Sequence, residues 1–196
     1  MEQDLKPILD VLNEIILPSD ERLLEIGSGD GQNAVYFAQA FPRLEWYPTD
    51  LSSKLLGMEK LFKEENIHNI KKPQRFDVSK DDFPKLRFDL VFTANTLHLM
   101  HWKDCKSLIK LLGHRLREGS RAIFYGPFKY AGEFTSESDK ALDVDLKAKD
   151  PLLGIRSFED IHTNMVKNGF ELVEDFEMPG SNRLIVFTRL KFVPQR

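Results

Sequence analysis

Three glycines at alternate positions, Gly27, Gly29 and Gly31, follow a short apolar run in "LLEIGSGDGQNAVYFAQAF". Such a turn lets a ligand approach the backbone where any Cβ would clash. The dinucleotide fingerprint needs glycines at positions one, three and six of the turn, and here the sixth position is Gln32. An acid, Glu25, stands just before the turn. A pyrophosphate seeks free backbone N–H groups at a helix N-terminus, and a carboxylate beside them opposes that anion. The carboxylate suits a ligand with a cationic amine or sulfonium and no phosphate. S-adenosylmethionine is such a ligand. Glu25, Gly27, Ser28, Gly29 and Gly31 are its expected cradle, in preference to a nicotinamide cofactor.

Further residues fit the same ligand. Asp50 ends "LEWYPTD", where a carboxylate can accept from ribose hydroxyls. Asp77 follows "PQRF", where it can accept from the adenine amine, and Val78 can offer its N–H to a ring nitrogen. Asn95 ends "RFDLVFTAN" and is expected to face the methyl-donor position. Each acid alone reads equally well as a helix N-cap. Together, in chain order and each at the end of an expected strand, they favour an adenosyl site.

Methyl transfer from a sulfonium is an in-line displacement, and holding the nucleophile near the methyl carbon in a dry site supplies much of the acceleration. A general base is needed only for an acceptor that arrives protonated. His98, in "TANTLHLMHW", is the first candidate for a substrate or catalytic contact, with His101 next. The structural alternative is a histidine whose hydrogen bonds pin the loop. Tyr125 ends "SRAIFYG" and is a candidate to wall the pocket or bind the acceptor, with a core tyrosine as the alternative.

The elements that position these groups alternate strand and helix along the chain, which predicts a parallel sheet covered on both faces. Ile8, Leu9, Val11, Leu12, Ile15 and Ile16 place an amphipathic helix within residues 1–20, with Pro7 near its start. "ELVEDFEM" and "RLIVFTRL", separated by "PGSN", predict a C-terminal antiparallel hairpin. "FEDIHTNMVKNGF" is a helix closed by Gly169. "KALDVDLKAKD" alternates charges and reads as a solvated helix. Residues 126–156 exceed the usual connection of about 2–6 residues in α/β units and lie after a strand's carboxyl end, as a substrate lid would. Trp46, Trp102, Phe88 and Phe92 read as packing residues.

A length of 196 residues, 41% hydrophobic and 30% charged, fits one folded domain over 1–196. The net charge of -3 disfavours a general grip on nucleic acid. The single cysteine, Cys105, rules out an intrachain disulfide and a thiolate metal cluster and suits a reducing compartment. No apolar run reaches the ~20 residues of a membrane span, and the first residues lack a signal pattern. A cytoplasmic location is expected, with no metal and no membrane partner.

"SGDGQNAVYFAQAFPRLEWYPTD", "FTANTLHLM", "YGPFKYAGEFTSESD", "DPLLGIR" and "MPGSN" together resemble the domain of unknown function 938 group, which includes the animal protein called methyltransferase-like 26. The likeness runs from about Lys6 to Arg189. It implies a Rossmann-like, seven-stranded class I methyltransferase fold, a mostly parallel sheet ending in an antiparallel hairpin. Lys129, Asp139, Asp143, Arg156 and Asn182 lie in its most specific pieces and are candidate acceptor contacts. For Arg156 the alternative is an ion pair with Asp143 or Asp145. The family pattern has Arg-Asn-Lys where this chain has Asp4, Leu5, Lys6, Ser-Asn at Ser138 and Asp139, Trp at Leu153, and Ala-Asn-Asn at Gly180, Ser181, Asn182. All these departures fall outside the cofactor motif. The expected function is methyl transfer to a small polar acceptor. The alternative is an inactive protein of the same fold that senses S-adenosylmethionine or docks a partner.

Overall fold

Strands covered on both faces need near-continuous apolar sequence. The runs Leu23-Leu24-Glu25-Ile26, Leu90-Val91-Phe92 and Ala122-Ile123-Phe124 supply it, and all are buried. The computed structural model describes residues 2–191. In chain order the elements are α1 (Glu2–Ile15), β1 (Arg22–Ile26), α2 (Gln32–Ala40), β2 (Glu45–Asp50), α3 (Ser52–Glu65), β3 (Gln74–Arg75) and β4 (Leu90–Ala94). Then come α4 (Trp102–Arg115), β5 (Arg121–Gly126), β6 (Phe128–Lys129), α5 (Glu137–Lys149), β7 (Arg156–Ser157), α6 (Phe158–Lys167), β8 (Phe170–Met178) and β9 (Asn182–Arg189). Seven strands form one sheet in the order β3-β2-β1-β4-β5-β9-β8. β1 pairs in parallel with β2 and β4, and β2 with β3, whereas β9 runs antiparallel to β5 and β8. This is the expected fold class. The chain divides into two compact units, Met1–Thr93 and Ala94–Arg196.

The first unit packs around three aromatic rings. Phe37 of α2 lies 6.0 Å from Trp46 of β2 and 5.8 Å from Phe92 of β4 between ring centroids. Ile8 and Leu12 give α1 its buried face. The sequence reading puts Pro7 near the start of this helix. The helix instead begins at Glu2 and runs through Pro7, although proline contributes no amide hydrogen to it. The strand expected over "PQRFDV" shortens to β3. Asp77 accepts from the Ser79 N–H at 3.0 Å and the Ser79 hydroxyl at 2.7 Å, and this local turn takes the chain out of the sheet.

The second unit is built on the β5-β9-β8 ladder. Tyr130 ties the insertion to that ladder: its hydroxyl donates to Asp175 at 2.7 Å, and its ring stacks on Phe158 at 5.1 Å. The insertion has an organisation the sequence reading lacks. Residues at its two ends pair as β6 and β7, with Phe128 opposite Arg156 and Lys129 opposite Ser157 just beyond it, so its ends are held together. The helix read as solvated is α5, capped by the Ser136 hydroxyl accepting from the Asp139 N–H at 3.1 Å. Val144 is exposed, but Asp139, Asp143 and Leu146 form a buried face at helical spacing. Gly169 closes α6 as expected, at φ 82°.

Two of this unit's left-handed glycines, Gly119 and Gly169, separate strain from clash. A Cβ at Gly169 would collide with the Arg189 guanidinium, whereas one at Gly119, φ 81°, would meet nothing within 4 Å. Gly119→Ala should cost about 1 kcal/mol, the left-handed penalty alone. Gly169→Ala should cost about 2–4 kcal/mol, because the displaced Arg189 guanidinium also gives up its hydrogen bond to the Gly169 carbonyl. Urea unfolding midpoints of both variants check the order, and equal losses would contradict it.

Candidate functional site

The glycine turn is held by the end of β2. The Thr49 carbonyl accepts from the Gly27 N–H at 2.9 Å and the Ser28 N–H at 3.0 Å. Gly29 donates to Asp50 Oδ2 at 2.7 Å. Gly29 has φ 63°, and a Cβ there would point into open space with no atom within 4 Å. Gly31 serves packing: a Cβ there would meet Phe62 Cε1 at 2.9 Å and Met58 Cγ at 3.0 Å. Ser28 is buried, and among the described residues its hydroxyl has no hydrogen-bond partner of normal geometry, with the Glu25 carboxyl its nearest candidate. An open backbone cradle beside an orphaned buried hydroxyl is a ligand-site signature, since buried polar groups are nearly always satisfied.

Glu25 is not at the mouth of the turn, where the sequence reading puts it. It is 1% exposed, and the Trp46 indole N–H donates to its Oε2 at 2.8 Å. Burial raises its pKa to about 7, against the Trp46 hydrogen bond, which favours the charged form. The nearby Ser28 hydroxyl also favours that form as a weak, poorly aligned donor, short of a hydrogen bond of normal geometry. Glu25 therefore lies within the core behind the turn. Trp46, read only as packing, is its partner. That pairing depends on strand register, which no local sequence signal reveals.

Asp50 is half-buried, with Oδ1 accepting from Leu51 N–H at 2.6 Å and Oδ2 from Gly29. Each carboxylate oxygen keeps a second lone pair for a ribose hydroxyl. Asp77 does not end a strand. Hydrogen bonds from Ser79 and Lys80 hold its carboxyl at a pKa of about 2, so the local-turn role is the one its geometry displays. Val78 follows it with an N–H that makes no hydrogen bond among the described residues. The same unit has a cavity of about 490 Å³ lined by Arg43, Glu45, His68 and Lys71. It lies at the amino end of β2, away from the turn. Its acid is already neutralised, because Lys71 at 2.6 Å and Arg22 at 3.1 Å pair with Glu45.

In the second unit Asn95 has φ 53° and donates its N–H to the Tyr125 carbonyl at 2.9 Å. Asparagine tolerates this left-handed conformation better than most residues. His98 sits in a 3₁₀ turn, Leu97–Leu99, and is 8% exposed. Its carbonyl accepts from the Gly154 N–H at 3.0 Å, while its ring makes no hydrogen bond among the described residues. Its pKa is lowered, first by burial and then by the Arg156 charge, so the ring is neutral near pH 7. His101, by contrast, is the pinned histidine, with Nε2 2.7 Å from Asp150 Oδ2. Tyr125 is half-buried at the end of β5.

The family-specific residues separate into structural and available groups. Arg156 does not make the ion pair with Asp143 or Asp145 weighed for it. Its guanidinium donates to the carbonyls of Leu97, Met100 and Leu152, bracketing His98. Asp143 accepts from Lys147 at 2.6 Å and the Ile155 N–H at 2.7 Å, with Lys129 at 3.9 Å. The Lys129 ammonium also lies 4.3 Å from the Phe134 ring centroid. Asn182 turns back on its own hairpin, donating to Pro179 O at 3.2 Å. Asp139 is 5% exposed and accepts from the Thr135 hydroxyl at 2.6 Å. Thr135 is a contact the sequence reading missed.

A sequence model described as "Protein of unknown function (DUF938)" matches residues 1–189. The chain belongs to this family. Among solved structures, the S-adenosylmethionine-dependent methyltransferase SibL in its apo form superposes with a TM-score of 0.79 at 21% identity, covering 97% of this chain and 55% of that one. PigF with SAH gives 0.81 at 18% identity, over 96% and 56%. Human N-acetylserotonin methyltransferase in complex with SAM gives 0.74 at 16%, over 96% and 55%. The chain thus spans little more than half the length of these proteins, and the likeness establishes a shared fold.

The buried Glu25 has a consequence for stability. Its folded pKa, about 7, lies above the ordinary value of 4.5. Its contribution is therefore intact below about pH 4.5 and is lost as pH rises through 7. Glu25→Gln keeps an oxygen for the Trp46 N–H and removes the charge. The variant should exceed the parent by up to about 3 kcal/mol at pH 8 and match it near pH 4.5. Urea midpoints at the two pH values check this, and a gap that does not change with pH would contradict it.

Proposed function

We propose that this protein is an S-adenosylmethionine-dependent methyltransferase acting on a small polar acceptor. The observation that carries the reading is the turn at Ser28 and Gly29, with its open Cβ direction and orphaned buried hydroxyl. The bound cofactor supplies a methyl group on a sulfonium. Ser28 and the Gly29 backbone receive its amino-acid portion, Asp50 its ribose hydroxyls, and the free Val78 N–H its adenine ring. The buried Glu25 carboxylate favours a cationic ligand over a phosphate through its field. The fold shared with SibL, PigF and human N-acetylserotonin methyltransferase supports the same choice. Asp77 adds an adenine contact only if its turn loosens.

His98 is the proposed general base. A neutral, buried imidazole with no partner of its own can accept a proton from an acceptor near neutral pH. A protein that only sensed the cofactor would have no use for such a ring, which favours the enzyme. Tyr125 is proposed to line the acceptor's surroundings. We further place the protein in the methyltransferase-like 26 group and in the cytoplasm, on the sequence resemblance and the lone, buried Cys105. Among the described residues no helix is long and apolar enough to cross a membrane.

Calorimetry with S-adenosylhomocysteine tests the cofactor reading. Gly29→Val should abolish binding while the variant still melts cooperatively. Asp50→Ala should weaken binding by about 1–3 kcal/mol, since ligand donors and the Gly29 N–H both lose an acceptor. Unchanged affinity in either folded variant, or tighter binding of NADH, would sink the assignment. With an acceptor in hand, His98→Asn should slow transfer by roughly 10²–10⁴-fold and leave cofactor affinity unchanged.

A further inference from the structure

The buried face of α5 carries two carboxylates one helical turn apart, and their surroundings differ. Asp143 has its cations, Lys147 at 2.6 Å and Lys129 at 3.9 Å, and it accepts from the Ile155 N–H. Asp139, 5% exposed, has one side-chain donor, the Thr135 hydroxyl, and no cation among the described residues. A buried carboxylate without a counter-charge is costly, and structural carboxylates acquire one, as Asp143 does.

His98 is set beside this face by a chain of contacts. Its carbonyl accepts from Gly154, and Gly154 is pressed so close to Asp143 that a Cβ would lie 2.6 Å from Asp143 Oδ1. Arg156 fixes the backbone on either side of His98 through the Leu97 and Met100 carbonyls. The imidazole is left buried and unpartnered, within the field of Asp139, which opposes that of Arg156.

We propose that Asp139 and His98 form a subsite for a protonated amine, so that the acceptor is an alkylamine and the reaction is N-methylation. The inference rests on the methyltransferase reading and adds the acceptor class. Asp139 receives the ammonium group, which supplies the missing counter-charge. One ammonium proton passes to the free ring nitrogen of His98. The nitrogen lone pair so released takes the methyl group as its bond to the sulfonium sulfur breaks. A methylated ammonium, a neutral thioether and an imidazolium result, and the imidazolium returns its proton to water. A carboxylate acceptor would be repelled by Asp139. A neutral hydroxyl acceptor would leave Asp139 without a counter-charge.

The test is calorimetric titration of the protein saturated with S-adenosylhomocysteine. Putrescine and tyramine are each compared with the hydroxyl counterpart, 1,4-butanediol and tyrosol. Each amine should bind roughly 10-fold or more tightly than its counterpart, as a charge-assisted hydrogen bond provides. Asp139→Asn should remove that preference and leave S-adenosylhomocysteine affinity unchanged. His98→Gln should keep amine binding and lower methyl transfer from labelled S-adenosylmethionine. Should Asp139→Asn fail to fold, loss of the preference in Asp139→Ser takes its place. Counterparts that bind equally well, or an amine preference that survives both Asp139 variants, would overturn the inference. If S-adenosylhomocysteine itself fails to bind the parent protein, the methyltransferase reading falls. If it binds and the amine preference is absent, only the acceptor class falls.

Discussion

The Thr49 carbonyl oxygen accepts two consecutive N–H groups, those of Gly27 and Ser28, and the first unit's ligand cradle depends on that double acceptance. It is possible because β1 and β2 run in parallel with Ile26 opposite Thr49. The chain leaving β1 therefore meets the end of β2 at once. Folding back on a single acceptor forces φ values of 75° at Gly27 and 63° at Gly29, which glycine adopts without penalty. The next residue of β2, Asp50, then receives the Gly29 N–H. A slip of one residue in this register would turn the side chains of the strand to the opposite face. It would break the turn, the Asp50 contact and the Trp46–Glu25 pair together.

A second constraint governs the candidate acceptor groups, and it also comes from pairing at both ends of a segment. The insertion is closed by β6 and β7, and Gly154, near its end, bonds to the His98 carbonyl. The insertion is thus a tied, folded element, and lid motion would have to break or carry these bonds. Its buried polar groups show a stability–function balance. Asp143 is fully paired, whereas among the described residues Asp139 lacks a cation and the His98 ring lacks a hydrogen-bond partner. Under-satisfied buried titratable groups cost stability, and the proposed acceptor role gives that cost a purpose.

Much of the fold was legible because alternating apolar runs and amphipathic stretches carry it directly. β1, β4, β5 and the Gly169-closed α6 all follow from local pattern. The positions of Gly27, Gly29 and Asp50 were also legible, since glycine spacing and a strand-ending acid are local signals. Glu25 was placed wrongly, because whether its side chain reaches the mouth or the core is set by packing against Trp46, a partner 21 residues away. The carbonyl contacts of Arg156 were not legible for a similar reason: its acceptors Leu97 and Met100 are more than 50 residues earlier in the chain. The β6–β7 pair left no signal, because two-residue strands have no periodicity to detect. Charge alternation hid the buried face of α5, since its inward residues are acids and not apolar groups.

The most direct test of the central claim is an amide NMR titration of the protein with S-adenosylhomocysteine. The account predicts the largest shifts at Ser28, Gly29, Leu51 and Val78, whose N–H groups line the proposed cradle or bond to its acid. Shifts concentrated instead around Arg43, His68 and Lys71, or no shifts at millimolar ligand, would contradict it.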